Sequence, residues 1–170
     1  MAAGILRPKS CMTDHGYFLR KALEVAKRSM DKGNLPFGCI MTGPDDIILL
    51  EGENTVITDQ NRIAHCEINL IRKLSSEVDL HFLEHCTLYA STEPCAMCAG
   101  AIFWSGIGTV VYALGKDVYH QIAGTCDPAH RLDVPIRRLL EQGGRSMTVL
   151  GPLLEEEAIA CYEKWTVEKR

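Results

Sequence analysis

Residues 64–74, AHCEINLIRKL, and residues 88–105, LYASTEPCAMCAGAIFWS, decide how this 170-residue chain is read. They contain His65-Cys66-Glu67 and, starting thirty residues after the histidine, Cys95-Ala96-Met97-Cys98 preceded by Pro94. One imidazole and two thiolates can hold a zinc ion at three corners of a tetrahedron. The fourth corner is then left for water, as in catalytic rather than structural zinc sites. In a helix starting near Ala64, His65 and Glu67 fall in the first turn, where backbone amides are unpaired and the helix dipole is positive. Cys95 and Cys98, three apart at the start of a second helix, share one face. A positive helix end favours the thiolate that zinc requires. Pro94 suits a helix start, because its φ is fixed and it has no N–H to leave unsatisfied. The spacing predicts two helix N-termini converging on one metal.

A C-x-x-C pair alone is shared by structural zinc knuckles, thiol redox sites and chance. The joint pattern is far more specific, with H-x-E upstream, Ser91-Thr92-Glu93-Pro94 before the first cysteine and Ala99-Gly100-Ala101-Ile102 after the second. It resembles the H-x-E…P-C-x-x-C signature of zinc nucleobase deaminases. The chain is similar to the cytidine deaminase-like superfamily, most closely its purine-base, cytosine and tRNA-adenosine deaminase branch. That resemblance implies one Zn2+ per chain on His65, Cys95 and Cys98, with Glu67 off the metal as the proton carrier. It also implies a hydrolytic reaction in which an exocyclic amine is replaced by a carbonyl and ammonia is lost.

Further roles come from the resemblance alone. Asn54, in GENTV, matches an Asn that hydrogen-bonds the base, although an Asn after Gly-Glu also suits a plain turn. Phe37, in PFG, matches a residue lining the base pocket, and a Phe opening a strand equally suits the core. Cys66 stands where relatives usually carry Ala, and its backbone N–H is the expected donor to a base carbonyl. Its thiol would close the zinc site as a fourth ligand only if adjacent side chains, about 100° apart at a helix start, faced one ion. Trp104, Tyr162 and Trp165 are candidates to wall and cap a guanine pocket, with the acidic segment LLEEEAIACYEKW as a lid. Asp117, in ALGKDVYHQIAG, is the nearest candidate for an acid that reads the purine amine; its alternative is a surface position. Metal sites at His85-Cys86 or at Cys126 and His130 lack a second pair at suitable spacing.

Composition sets outer limits. Hydrophobic residues at 46% and charged residues at 24% are ordinary for a globular protein. No apolar run is long enough to span a membrane, and MAAGILRPKSCMTDHG lacks the apolar core of a secretory signal, so the cytoplasm is the expected compartment. The cysteines outside the C-x-x-C pair have no framework spacing, and most are expected to be small buried hydrophobes. A net charge of −4 and a pI near 5.9 weigh against a phosphate-backbone partner and toward a small-molecule base or nucleoside, guanine-type first. tRNA adenosine and cytosine or cytidine are the alternative substrates. A catalytically inactive zinc-binding module is the alternative of another class, and the intact Glu67 argues against it.

Along the chain, helix and strand alternate. Phe18, Ala22, Val25, Ala26 and Met30 repeat at helical spacing across residues 14–31, with Thr13 as candidate N-cap and Gly33 as candidate stop. Strands are expected at FGCIMTG and DIILLEG, joined by a turn at Pro44-Asp45-Asp46. The His65 helix follows, then a strand at CTLYAST, the Cys95 helix and a strand at IGTVVYAL. A loop containing Asp127-Pro128, a helix near 133–142, a strand at SMTVLG and a helix from about 153 complete the order. The expected fold is a single α/β domain over residues 1–170, a three-layer α/β/α sandwich around a mixed sheet of about five strands, with 1–13 as an N-terminal extension. Ile102, Phe103 and Trp104 give more apolar surface than one sheet face needs, and a homodimer is expected through them.

Overall fold

Alternating apolar residues along the strands give the sheet two faces, and both are covered. The computed structural model describes residues 13–74, 78–124 and 132–168. The expected extension through residue 12, the Asp127-Pro128 loop and the Cys126–His130 pair lie outside the described residues. Five strands are formed: β1 (Gly38–Thr42), β2 (Ile48–Glu53), β3 (Thr87–Thr92), β4 (Thr109–Leu114) and β5 (Thr148–Leu150). They lie in the order β2-β1-β3-β4-β5. The β2/β1 and β1/β3 pairs are antiparallel, and the β3/β4 and β4/β5 pairs are parallel.

Seven helices are described: α1 (His15–Asp31), α2 (Cys66–Ile71), α3 (Leu80–Leu83), α4 (Ala96–Ser105), α5 (Lys116–Ala123), α6 (Ile136–Leu140) and α7 (Glu155–Glu168). Successive strand residues point to opposite faces. Cys39, Met41, Leu88, Ala90, Val110, Tyr112 and Val149 accordingly pack with α2, α3, α4 and α6 in one core. The interleaved Ile40, Tyr89, Val111 and Ala113 pack with α1, α5 and α7 in the other. This is the expected mixed five-stranded α/β arrangement.

Several local expectations are corrected. Asp14, not Thr13, caps α1, its carboxylate accepting from Tyr17 N at 3.0 Å. Thr13 Oγ1 reaches Asp46 instead, at 3.2 Å. The helices α3 and α5 are absent from the sequence reading; α3 has only four residues, too few to show a period. The helix expected over 133–142 is only five residues long, because Pro135 occupies its N-cap and fixes the start at Ile136. Cys39, Cys66 and Cys86 are buried free thiols, as expected of small hydrophobes, whereas Cys161 is only partly buried.

One close approach seats the helix that carries the histidine. A Cβ on Gly52 would lie 2.2 Å from Cys66 O and 2.8 Å from Leu70 Cβ. Glycine at this position lets β2 and the first turns of α2 pack directly together. Gly52→Ala should therefore push α2 outward and cost about 1–3 kcal/mol as overpacking. The thermal unfolding midpoint should fall by several degrees; an unchanged midpoint would show that α2 yields without cost.

Candidate active site

The two helix starts meet as the spacing requires, displaced by one residue. His65 is the N-cap of α2 (φ −70°, ψ 156°) rather than part of its first turn, and Cys95 is the N-cap of α4 (φ −69°, ψ 169°). Both are extended, so both side chains leave the helix ends instead of wrapping along them. Cys98, on the first turn of α4, completes the group. The approach to α2 is pinned by Asn69, whose Nδ2 donates to Glu53 O and Thr55 Oγ1, both at 2.8 Å.

His65 Nδ1 lies 3.7 Å from Cys95 Sγ and 3.5 Å from Cys98 Sγ, and the three donor atoms all fall within 4.8 Å of one another. With zinc bonds of ~2.3 Å to sulfur and ~2.05 Å to nitrogen, a tetrahedral centre has S···N edges of about 3.6 Å. The donor set therefore fits zinc in identity and spacing. Its electrostatics also suit a cation. The Cys98 thiol beside it and the contact with His65 outweigh burial and hold Cys95 down to about 4. Cys98 is pushed up by the neighbouring Cys95 and by burial, so of the pair Cys95 carries the charge. His65 is raised, chiefly by its contact with Cys95.

Glu67, only 6% exposed, lies on the first turn of α2. Burial raises its carboxyl above the ordinary carboxylate range. The Cys66 thiol donates to Glu67 Oε2 at 3.2 Å and is not one of the three clustered donors, so it does not close the site as a fourth ligand.

His65, Cys66, Glu67 and Cys95 open onto a cavity of about 400 Å³. Phe37 and Asn54 line it, joined by Leu35, Tyr119 and Leu132 as apolar wall and by Ser91, Thr92, Glu93, Lys116, His120 and Asp133 as polar wall. Asn54 Oδ1 accepts from Val56 N at 3.1 Å, while its buried Nδ2 has no partner among the described residues. A larger cleft of about 610 Å³ lies between α1, β2 and α2 and contains none of these donors. Of the cations lining it, Arg28 is paired with Glu51 and Glu53, and Lys32 with Glu53.

Four residues expected at the pocket lie elsewhere. Trp104 is 83% exposed at the far end of α4. Asp117 is exposed on the first turn of α5. Tyr162 and Trp165 are buried in the core on the α1 face, and α7 packs against α5 and β4 as part of the sandwich rather than as a lid. Tyr162 acts behind the wall: its hydroxyl donates to Pro36 O at 2.9 Å and lies 2.8 Å from Thr92 Oγ1. An edge-to-face series runs from the cavity into that core, with ring centroids 4.7 Å apart for Phe37–Tyr119, 5.2 Å for Tyr119–Tyr162 and 5.0 Å for Tyr162–Trp165. The wall residues Lys116, Tyr119, Leu132 and Asp133 were missed by sequence reasoning. The signal that could have found the first two is their place just beyond the carboxyl end of β4, where parallel strands host ligand sites.

Residues 12–114 match the cytidine and deoxycytidylate deaminase zinc-binding region. The chain belongs to this family. It is 38% identical over 152 residues to a probable cytosine deaminase of Schizosaccharomyces pombe, covering 86% of this chain and 88% of that one. It is 39% identical over 101 residues to the guanine deaminase of Bacillus subtilis, covering 59% and 64%. The B. subtilis tRNA-specific adenosine deaminase is 31% identical over 148 residues, covering 86% and 84%. Among solved structures, a mutant protein in complex with 8-azaguanine superposes with a TM-score of 0.74 at 25% identity, covering 90% of this chain and 86% of that one. The B. subtilis guanine deaminase superposes with a TM-score of 0.61 at 29% identity, covering 90% and 94%. The protein is a zinc-dependent hydrolytic deaminase, with His65, Cys95 and Cys98 positioned for the metal.

Proposed function

We propose that this deaminase acts on a detached nucleobase or nucleoside, a guanine-type purine first, rather than on RNA. The observation that carries this reading is the unpartnered Asn54 Nδ2. It is a buried donor in the same cavity as His65 and Glu67, between aromatic and apolar walls. An unsatisfied buried donor is costly unless a ligand acceptor meets it, and the edge of a base supplies one. A cavity of about 400 Å³ exceeds what a single pyrimidine ring fills and suits a bicyclic base. Solved relatives carrying 8-azaguanine and 2,6-diaminopurine support a purine of this class. The net charge of −4 supports a neutral ligand over a phosphate backbone. Cytosine is the second reading, favoured by the S. pombe relative that matches along 86% of the chain.

When bound, zinc supplies a Lewis acid that makes hydroxide available near neutral pH. Glu67 carries one proton of the attacking water to the ring nitrogen beside the amine-bearing carbon, and then carries the remaining hydroxyl proton to the departing amine. Base–NH2 and water become base carbonyl and ammonia. Burial suits Glu67 to this shuttle, because a carboxyl raised toward neutrality both accepts and returns protons. Phe37 holds the flat face of the ring, and Asn54 fixes its edge.

Glu67→Gln should keep zinc and fold while lowering kcat by at least about 100-fold, the usual cost of losing proton transfer. Turnover at the wild-type rate would make Glu67 structural. The substrate reading is tested by ammonia release across guanine, guanosine, cytosine, cytidine, adenine and adenosine, with a tRNA alongside. Guanine or guanosine should give the highest kcat/KM. Conversion of tRNA adenosine with all free bases ignored would overturn the reading.

Two copies pair through the outer face of α4, where Met97 is 37% and Trp104 83% exposed on a helix that is apolar all round. Sedimentation at micromolar concentration should give a dimer, reduced to monomer by Trp104→Glu. A wild-type monomer would reject the pairing.

A further inference from the structure

Lys116 is an unusual side chain for the place it occupies. It is the first residue of α5, just past the end of β4, and only 8% exposed. It lines the same cavity as Asn54 and Glu67, beside the apolar Leu132 and the ring of Tyr119. A lysine Nζ carries three N–H donors. Among the described residues one of these is used, donating to Val134 O at 2.8 Å. That acceptor is neutral, and among the described residues no carboxylate lies within ion-pair range of Nζ. Of the acids lining this wall, Asp133 makes no ion pair with Nζ, and Glu93 is committed elsewhere: Oε1 accepts from Ile136 N at 2.9 Å, and Oε2 faces the Lys116 backbone N–H at 3.5 Å.

Burying a lysine without an anionic partner is expensive, and the cost grows with each donor left unmet. A methionine would fill the same volume without that cost. The remaining donors therefore point to an oxygen acceptor brought by the ligand. Asn54 supplies one neutral donor to the base; Lys116 supplies a second, stronger one on a different wall.

We infer that Lys116 is a specificity-determining residue that donates to a carbonyl oxygen on the substrate base, so that this deaminase selects oxo-aminobases over adenine-type bases. The inference rests on the reading that a detached base occupies the cavity, and it names the class of base. Guanine and cytosine both carry a ring carbonyl besides the amine that leaves; adenine carries none. Lys116 takes no part in the proton steps, which belong to Glu67. It acts by favouring the substrate that satisfies it, because an analogue lacking the oxygen leaves a buried donor unpaired.

The test compares paired substrates on the zinc-loaded enzyme. Guanine is set against 2-aminopurine, which lacks the carbonyl oxygen and the ring N–H that goes with it, and cytosine against 4-aminopyrimidine, which differs in the same way. In the wild-type protein, removing the oxygen should lower kcat/KM by about 10- to 100-fold, the range for a hydrogen bond to a charged group. Lys116→Met, which keeps the aliphatic stem, should bring the oxo substrate down by that factor and leave its oxygen-free partner within about twofold, abolishing the preference. Lys116→Arg should retain part of it. If Lys116→Met lowers both partners equally, Lys116 merely anchors Val134 and the inference falls. Should the Met variant not fold, the wild-type comparison still decides, since equal rates with and without the oxygen overturn the inference. Turnover of cytosine but not guanine would overturn the purine reading while leaving Lys116 to be judged on the cytosine pair. An enzyme that accepts only adenine-type substrates would overturn both.

Discussion

Everything in the site depends on two helix N-termini aimed at one point. His65 and Cys95 are both N-caps in extended conformation, and their donor atoms meet at edges that a tetrahedral zinc requires. A shift of either helix by one residue rise, ~1.5 Å, would break that match. The sheet prevents such a shift. β1 pairs with β2 on one side and β3 on the other, so the strands leading to α2 and α4 are in register through their common neighbour. Gly52 then lets α2 lie directly on β2, and Asn69 ties the turn before His65 to the end of the same strand.

The second constraint is aromatic. Phe37, Tyr119, Tyr162 and Trp165 form a continuous edge-to-face series from the cavity into the core beneath α7. The C-terminal helix thus contributes to the site by backing its wall. Tyr162 in addition ties α7 to two segments, through Pro36 O and through Ser91 Oγ and Thr92 Oγ1 at the end of β3. The first leads to Phe37, and the second carries cavity residues. Losing the tail would remove support from the base pocket and uncover the core together.

The metal centre was legible because few residue types can bind zinc and the spacings that let them do so are short. His65, Glu67, Cys95 and Cys98 were all readable from two local segments, and the five strands from their apolar runs. The pocket was less legible, since its walls come from residues 35–37, 54, 116–120 and 132–133, which only the fold brings together. Trp104 shows the error in the other direction. Closeness in sequence to the cysteines suggested closeness in space, but nine residues of helix carry it about 13 Å along the axis from Cys95. Tyr162 and Trp165 read as capping aromatics when their spacing on an amphipathic helix also fits plain core. Asp117 was chosen for its charge without the helix that turns it outward being recognised.

The central claim is an open zinc site of one histidine and two cysteines on a deaminase scaffold. X-ray absorption at the zinc edge on protein purified without chelator tests it most directly. The account predicts about one zinc per chain with two sulfurs at ~2.3 Å and two nitrogen or oxygen neighbours at ~2.0–2.2 Å, one of them from solvent. Three or four sulfur neighbours, with Cys66 drawn onto the metal and no exchangeable oxygen, would describe a closed structural site and contradict it.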